Sequence, residues 1–277
     1  MEKISIAIIG LGFVGGSMYK SFQIKIAENG LEEKYKVIGY DKYKNVNSLE
    51  DCLGADIIFT ALPTLFDDNL KSYDNSPTNH VVNELYEKGY RGCIVIKSTV
   101  EPTFTQTIAT KYPEISFIHN PEFLTARTAY EDFHQQKHIV LGKSLCTDEK
   151  YTKVKNLYCD LYKADISECT STESECMKIF CNSFYAVKIQ LFNEFFMTTQ
   201  SIGANYDTIR TLMLKNGWIN PMHTNVPGPD GSLSYGGLCF PKDTLALNEF
   251  MKKHHEYNAV LNAATKEQEL MRKDSMK

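Results

Sequence analysis

The chain has 277 residues, is 43% hydrophobic and carries a formal charge of −4 at pH 7. A chain of this size and composition can enclose a large core as one or two domains. It lacks the excess of basic residues that indicates nucleic acid as a partner. No apolar run reaches the ~18 residues that a membrane helix needs, and the first stretch, MEKISIAIIG, lacks the pattern of a cleaved signal. Its eight cysteines include no CxxC pair, which predicts a cytoplasmic protein with reduced thiols. All of these cysteines except Cys239 are expected to be buried and inert.

The chain opens with a predicted strand, a glycine turn and a helix. Residues 4–9 (ISIAII) are apolar and β-favouring, GLGFVG follows at 10–15, and the sequence from Val14 to about Ala27 is compatible with a helix. This order is typical of a dinucleotide-binding site, because the turn and the helix N-terminus direct N–H groups at a pyrophosphate. The cofactor-binding residues predicted here are Gly10, Gly12, Phe13, Val14 and Gly15.

The next apolar run, KVIGY, ends at Asp41, close to the position where dinucleotide-binding proteins carry a ribose-binding acid. A carboxylate there accepts hydrogen bonds from ribose hydroxyls and repels a 2′-phosphate, so the sequence predicts NAD rather than NADP as the cofactor. Lys42 and Lys44 lie close enough to weaken this preference slightly.

Strand-like runs then alternate with amphipathic helical stretches. The runs are ADIIFTAL (55–62), GCIVIKS (92–98), ISFIHN (115–120) and HIVLG (138–142). This alternation predicts an α/β domain over residues 1–168, with a Rossmann-type, doubly wound and mostly parallel sheet that binds ligands at the carboxyl ends of its strands. The residues that follow these strands, and that we therefore expect at the cofactor, are Pro63, Thr64, Ser98 and Thr99.

Beyond these strands the pattern changes, and residues 169–277 are predicted to form an all-α domain. Residues 171–202 are mostly apolar and contain no proline or glycine, which favours one long helix buried on most sides. Within it Lys178 and Asn182 share a face. Lys178 either extends its ammonium to the surface or is desolvated and directed at developing negative charge. Its pairing with Asn182, and a cysteine further along the chain, favour the second interpretation.

That cysteine is placed to act as a nucleophile. The string YGGLCFPKD occupies residues 235–243 and leads into helix-favouring sequence, with Pro241 suited to the first helical turn. Cys239 is therefore expected at a helix N-terminus, where the dipole and the N–H groups favour its thiolate. Gly236 and Gly237 allow a ligand to approach the backbone closely.

Six motifs occur in the same order as in the UDP-glucose/GDP-mannose dehydrogenases, a family that the chain resembles over nearly its whole length. They are GLGFVG, the PT at 63–64, KSTV at 97–100, NPEFL at 120–124, the Lys178/Asn182 helix with NE at 193–194, and GGLCFPKD. The resemblance implies a four-electron oxidation of a sugar primary alcohol to a carboxylate with two NAD. The CFPKD string leans toward UDP-glucose over GDP-mannose as the substrate.

The resemblance also implies roles for the matching residues in the first oxidation. Lys178 and Asn182 are expected to stabilise an alkoxide-like oxygen while a hydride leaves the sugar. The implied substrate contacts are Glu122, Phe123, Leu124, Lys178, Asn182, Tyr235, Gly236 and Gly237.

For the second oxidation the resemblance implies covalent catalysis. Cys239 is expected to add to the aldehyde, giving a thiohemiacetal that delivers a second hydride and then a thioester that water hydrolyses. Glu122, Thr99 and Asp243 are expected to orient or deprotonate that water. Helix capping or first-turn charge would also account for Glu122 or Asp243 alone.

Two features depart from the family. Its members usually follow NPEFL, after one residue, with an acid and a glycine, whereas this chain has Ala126 and Arg127 there, and Arg127 could meet a phosphate or a sugar acid. Members also continue through a further α/β domain that binds the nucleotide half of the substrate, whereas this sequence ends at Lys277. We therefore expect that the nucleotide is held differently, that the substrate is smaller, or that a separate chain completes the cap.

Three hypotheses follow. The leading one is an active nucleotide-sugar dehydrogenase. The others are a non-catalytic NAD-binding partner subunit and a two-domain hydroxyacid dehydrogenase of the 6-phosphogluconate type, which transfers a single hydride and needs no nucleophilic cysteine. The long apolar helix, which lies at a dimer interface in the family, predicts a homodimer.

Overall fold

The computed structural model describes residues 3–272, which form two compact units. The first unit consists of residues 3–65 and 74–178, and the second of residues 66–73 and 179–272. The predicted domain boundary between residues 168 and 169 differs from this division, which falls inside a long helix and assigns one short earlier segment to the second unit.

The described residues contain nine strands and nine α-helices. The strands are β1 (Ile4–Ile9), β2 (Tyr35–Tyr40), β3 (Ile57–Thr60), β4 (Phe66–Asp67), β5 (Ser72–Tyr73), β6 (Cys93–Ile96), β7 (Ser116–His119), β8 (His138–Lys143) and β9 (Asp165–Thr170). The helices are α1 (Phe13–Glu28), α2 (Ser76–Glu87), α3 (Phe104–Lys111), α4 (Ala129–His134), α5 (Asp148–Leu161), α6 (Ser171–Ile202), α7 (Tyr206–Lys215), α8 (Phe240–His254) and α9 (Ala259–Met271).

The first unit is built on one seven-stranded sheet with the order β2-β1-β3-β6-β7-β8-β9. Every neighbouring pair is parallel except β7 and β8, which are antiparallel. The central strands β3, β6 and β7 are buried along their whole length, as is typical of parallel strands whose residues are mostly apolar. Met18 and Phe22 of α1 pack on one face with α4 and α5, and Leu85 of α2 packs on the other with α3. The structure therefore confirms the predicted Rossmann-type, mostly parallel sheet.

Two strand features are not anticipated by the sequence pattern. Strand β9 is an edge strand that pairs only with β8, and of its side chains only Ile166 and Cys169 are partly buried, so it carries little hydrophobic signal. The hairpin of β4 and β5 has two residues in each strand, too few to display alternation, and it packs against α8. The described residues from Ser171 onward contain helices and no strand, as the fold prediction states for this part of the chain, and the second unit adds the hairpin to them.

Helix α6 spans the predicted residues, Ser171 to Ile202, but it is not buried on most sides. Its buried face is largely polar and includes Ser174, Glu175, Lys178, Asn182, Ser183, Gln190 and Asn193. Its large apolar side chains with 45% or more of their surface exposed include Phe180, Phe184, Leu191 and Ile202. The apolar composition is therefore a poor guide to the direction in which this helix packs. Neither α6 nor any other helix in the described part of the chain is long and apolar enough to cross a membrane.

The cysteines do not share one environment. Cys52 and Cys93 are buried, but Cys159 is exposed, and the other cysteines apart from Cys239 are partly exposed. Cys159 follows the buried Tyr158 on α5 and occupies the outward face of that amphipathic helix. The expectation that every cysteine except Cys239 is buried is therefore wrong.

Candidate active site

The glycine turn between β1 and α1 has the geometry that a dinucleotide needs. Gly10 has φ +87°, and a Cβ on Gly15 would lie 1.8 Å from the carbonyl oxygen of Gly10, so both positions require glycine. Gly12 is the N-cap of α1 and has nothing within 4 Å of its ideal Cβ position. The turn is therefore closely packed at Gly10 and Gly15 and open at Gly12. Phe13, 63% exposed, and Val14 form the first positions of the helix.

Asp41 follows β2 and organises the same turn. Its Oδ2 accepts a hydrogen bond from the backbone N–H of Leu11 at 2.8 Å, and its Oδ1 accepts from Tyr43 and Lys44 at 3.0 Å each. Burial opposes ionisation of Asp41, but these backbone donors and the Lys44 ammonium lower its pKa overall. A carboxylate offers about four acceptor positions, so one remains after these three bonds for the predicted ribose contact.

The residues that follow β3 and β6 are joined by hydrogen bonds. Ser98 Oγ donates to the carbonyl of Leu62 at 2.7 Å, and Thr64 Oγ1 donates to the carbonyl of Thr99 at 2.8 Å. Pro63 is exposed, whereas Thr99 is half-buried. The structure thus brings together the polar residues that the sequence predicts at this edge of the sheet.

Glu122 and Lys178 form a buried ion pair within the first unit. The Nζ of Lys178 lies 3.1 Å from Oε1 of Glu122 and donates to the Glu122 carbonyl at 2.6 Å, and the two side chains are 6% and 10% exposed respectively. The other carboxylate oxygen accepts the N–H of Leu124 at 2.6 Å. The ring of Phe123, 45% exposed, lies 5.5 Å from the same Nζ. Lys178 is therefore a desolvated, paired cation that does not extend to the surface.

A second buried lysine, Lys97, supports the same segment and is missing from the sequence-based site. Its Nζ donates to Oδ1 of Asn120 at 2.9 Å and to the carbonyl of Pro121 at 3.1 Å. Burial lowers the pKa of Lys97 to about 7, with a raising contribution from Glu122 and a lowering one from Lys178. The sequence feature that indicates this role is the lysine at the end of the apolar run GCIVIKS, because a charge directly after a buried strand needs a partner.

Asp243 is the centre of a polar cluster in the second unit. Its side chain is fully buried and accepts hydrogen bonds from Nδ2 of Asn182 at 2.7 Å and from the hydroxyl of Tyr73. Lys242 lies beside it, with Nζ 2.5 Å from Oδ1. Tyr73 belongs to the unpredicted hairpin, so sequence reasoning had no basis for including it.

Cys239 is the N-cap of α8 and is exposed, as the sequence predicts for its place in the chain. The backbone N–H of Asp243 donates to the carbonyl of Cys239 at 3.0 Å, which fixes the carboxylate one helical turn beyond the thiol. Pro241 stands in this first turn, where its missing N–H costs nothing.

The three residues before this turn differ in their surroundings. The side chain of Tyr235 is 2% exposed, its hydroxyl lies 3.5 Å from both Thr244 Oγ1 and the Ala264 carbonyl, and its own carbonyl accepts from Nε2 of Gln268 at 3.1 Å, so its side chain and carbonyl are engaged within the unit. A Cβ on Gly236 would lie 2.3 Å from the guanidinium carbon of Arg272. Gly237 has φ +79° and open space at its Cβ position.

The parallel sheet, the glycine turn and the acid after β2 define a dinucleotide-binding protein of the Rossmann type. Within the described residues, no group of three or more His, Cys, Asp or Glu side chains is arranged to hold a metal ion. The NAD binding domain of the UDP-glucose/GDP-mannose dehydrogenase family matches residues 17–162, and the central domain of the same family matches residues 172–269. The chain belongs to this family of NAD-dependent nucleotide-sugar dehydrogenases, and its cofactor is NAD.

Relatives in sequence include two bacterial enzymes named UDP-glucose 6-dehydrogenase. The one from Streptococcus pneumoniae is 28% identical over 274 residues, covering 88% of this chain and 68% of the relative. The one from Rickettsia conorii is 31% identical over 250 residues, covering 88% of this chain and 56% of the relative. The chain thus spans between about half and about two thirds of the length of these relatives.

Two solved structures share the fold. A UDP-glucose dehydrogenase from Pyrobaculum islandicum superposes with a TM-score of 0.83 at 23% identity, covering 97% of this chain and 68% of that one. A 3-hydroxyisobutyrate dehydrogenase from Mycobacterium tuberculosis, with L-serine, has a TM-score of 0.76 at 16% identity and covers 99% of this chain and 96% of that one. At these identities the likeness shows the fold alone.

Proposed function

We propose that this chain oxidises the primary alcohol of UDP-glucose to a carboxylate in two hydride transfers to NAD, through a thioester on Cys239. The observation that carries the proposal is the start of α8, where an exposed Cys239 at the N-cap is followed one turn later by the fully buried carboxylate of Asp243. Covalent capture of an aldehyde and hydrolysis of the resulting thioester require a nucleophile and an acid or base of this kind. Membership of the nucleotide-sugar dehydrogenase family supports the same activity.

In the first oxidation the proposed groups stabilise oxygen while the alcohol carbon loses a hydride, which NAD accepts when it is bound. The Lys178 ammonium, held by Glu122, is a desolvated cation that favours an alkoxide-like oxygen. Asn182 adds an amide donor whose orientation is fixed by its bond to Asp243. The alcohol proton passes through water to Glu122.

In the second oxidation the Cys239 thiolate adds to the aldehyde carbon and forms a C–S bond. The oxygen of this thiohemiacetal becomes a carbonyl as its carbon loses a second hydride, which a second NAD would accept, and the product is a thioester. Water then attacks the thioester carbonyl, the C–S bond breaks, and the thiolate leaves as the carboxylate forms. Asp243, Glu122 and Thr99 are the groups proposed to bind and deprotonate this water.

The substitution Cys239→Ser tests the proposal. We expect the variant to bind NADH as the wild type does and to lose NADH production from UDP-glucose, because a hydroxyl at this position is a far weaker nucleophile than a thiolate. Cys159→Ser is the matched control, since that cysteine is exposed on α5 and outside the proposed chemistry. Full activity in Cys239→Ser would contradict the proposal.

A second candidate is a hydroxyacid dehydrogenase that transfers one hydride. It rests on the fold alone, which this chain shares with 96% of the M. tuberculosis structure. Such an enzyme needs no covalent capture, so undiminished turnover of a hydroxyacid by Cys239→Ser would support it. A third candidate, a non-catalytic NAD-binding partner subunit, predicts NADH binding without turnover of either substrate class.

The exposed face of α6 concerns the oligomeric state. We propose a homodimer, supported by the exposed apolar side chains of α6. A cytoplasmic location stays a prediction.

A further inference from the structure

A cleft of about 540 Å³ lies in the first unit beside the glycine turn. One wall is the start of α1, from Gly12 to Lys20, and the other is the turn of residues 126–128 with the first residues of α4, up to Glu131. A volume of several hundred cubic ångström is typical of small-molecule and cofactor sites. Because the glycine turn borders it, this cleft belongs to the cofactor-binding edge of the sheet.

The charged side chains that line the cleft are mostly cationic. They are Lys20, Lys44, Arg127 and Glu131, three cations and one carboxylate. The nearby carboxylate of Asp41 is directed into its own turn by the N–H groups of Leu11, Tyr43 and Lys44. The N-terminus of α1 adds further partial positive charge. The surplus of positive charge fits a ligand with phosphate groups.

Each cation is held differently. The Nζ of Lys20 lies 4.2 Å from the ring centroid of Tyr130, and the Nζ of Lys44 donates to the Leu11 carbonyl at 2.5 Å. Arg127 has no hydrogen-bond or ion-pair partner among residues 3–272, so its planar set of donors is available to a ligand.

The backbone around Arg127 is nevertheless ordered by one carboxylate. Oδ2 of Asp132 accepts hydrogen bonds from the N–H of Thr125 and from Oγ1 of Thr128, at 2.8 Å each. This bond pair fixes the turn of residues 126–128 that carries Arg127.

We propose that Arg127 binds a phosphate group of the dinucleotide from the wall of the cleft that faces α1, while Lys20 and Lys44 add positive charge on the side of α1 and the glycine turn. This proposal rests on the NAD cofactor and not on the proposed sugar substrate. The Arg127 contact and the proposed oxidation of UDP-glucose can therefore be tested, and can fail, independently. The phosphate belongs to the pyrophosphate, because NAD has no 2′-phosphate.

The test is the dissociation constant of NADH, measured by calorimetry on the full chain without substrate. We expect Arg127→Ala to weaken NADH binding by about tenfold or more, the usual effect of a lost charge-assisted hydrogen bond, and Arg127→Lys to restore part of the loss. Arg91→Ala is the matched control, since it removes an arginine that precedes β6 at the opposite edge of the sheet, and we expect it to change binding by less than about twofold.

NADPH titrations identify the phosphate. We expect an equal loss of affinity for NADH and NADPH in Arg127→Ala, because both carry the pyrophosphate. A loss confined to NADPH would assign the contact to the 2′-phosphate and would overturn the proposal. Because Arg127 is exposed, the variant should melt at the wild-type temperature. Wild-type NADH and NADPH affinities in a folded Arg127→Ala variant would overturn the proposal.

Discussion

Helices α1 and α6 bury opposite kinds of side chain. Helix α1 presents Met18, Phe22 and Ile26 to the sheet, and each of these is nearly or fully buried. Helix α6 instead buries Lys178 and Asn182 among a row of polar side chains and exposes several aromatic and aliphatic ones. The first helix follows the usual rule for a core-facing helix, and the second inverts it.

The inversion has an energetic consequence. Every inward polar group of α6 needs a partner, and the partners are present for the charged members: Glu175 accepts the N–H groups of Thr103 and Thr105 at 2.7 and 2.8 Å, and Lys178 pairs with Glu122. Buried charges of this kind stabilise a fold little compared with apolar packing but are destabilising when one partner is removed. Helix α1 therefore contributes mainly to the hydrophobic core, whereas α6 positions polar side chains such as Lys178 and Asn182.

The largest expected effect comes from breaking the ion pair on α6. Lys178→Ala should lower the free energy of unfolding by about 3–5 kcal/mol, because Glu122 is left buried without its cation. Urea denaturation measures the change.

The matched double variant Glu122→Gln/Lys178→Met, with no buried charge at either position, should recover most of this stability and still lack activity. A double variant that is as unstable as Lys178→Ala would show that the pair contributes mainly to packing, as the side chains of α1 do.

The next effect belongs to the start of α1. Gly15→Ala should destabilise the fold by about 1–3 kcal/mol, because the added methyl group collides with the Gly10 carbonyl. Gly12→Ala should leave stability nearly unchanged, because space is open there, and should weaken NADH binding by filling that space. Thermal melts and NADH titrations separate the two variants. Equal behaviour of both alanines in both assays would contradict the different roles assigned to these glycines.

Lys97 differs from Lys178 because its buried ammonium contacts an amide oxygen and a carbonyl in place of a carboxylate. Its pKa is about 7 in the folded chain against an ordinary value of 10.5, so the unfolded chain binds more protons between these values. Stability should therefore rise with pH through this window, by up to about 1.4 kcal/mol per pH unit from this group. Urea denaturation at several pH values should show a smaller slope in Lys97→Met. If stability rises with pH as steeply in Lys97→Met as in the wild type, Lys97 does not titrate between these pH values and the prediction is wrong.

The smallest expected effect on stability lies on the exposed face of α6. Phe184 is 64% exposed, so Phe184→Asp should change the stability of the isolated chain by less than about 0.5 kcal/mol. It should nevertheless lower the mass measured by light scattering at micromolar protein from that of a dimer to that of a monomer. A monomeric mass for the wild type would contradict the proposed homodimer.

Much of the first unit is predictable because its signals are local. Strand β1, the glycine turn and α1 follow from a continuous apolar run and backbone requirements within a few residues. The position of Cys239 at a helix start is predictable for the same reason, since Pro241 and the helical run are adjacent to it.

The remaining features depend on contacts distant in the sequence. Tyr73 reaches Asp243 across 170 positions of the chain, and Lys97 is satisfied by Asn120 and Pro121, which no pattern around the lysine reveals. The orientation of α6 has the same origin. Its buried polar side chains find partners far away in the chain, among them Glu122 for Lys178 and Asp243 for Asn182.

The central claim is that one sugar undergoes two oxidations at Cys239. The most direct test is the number of NADH molecules formed for each UDP-glucose consumed by the wild-type chain, followed together with the appearance of the sugar acid. The account predicts two NADH and one carboxylate per sugar. One NADH per sugar, with the aldehyde released, would contradict it.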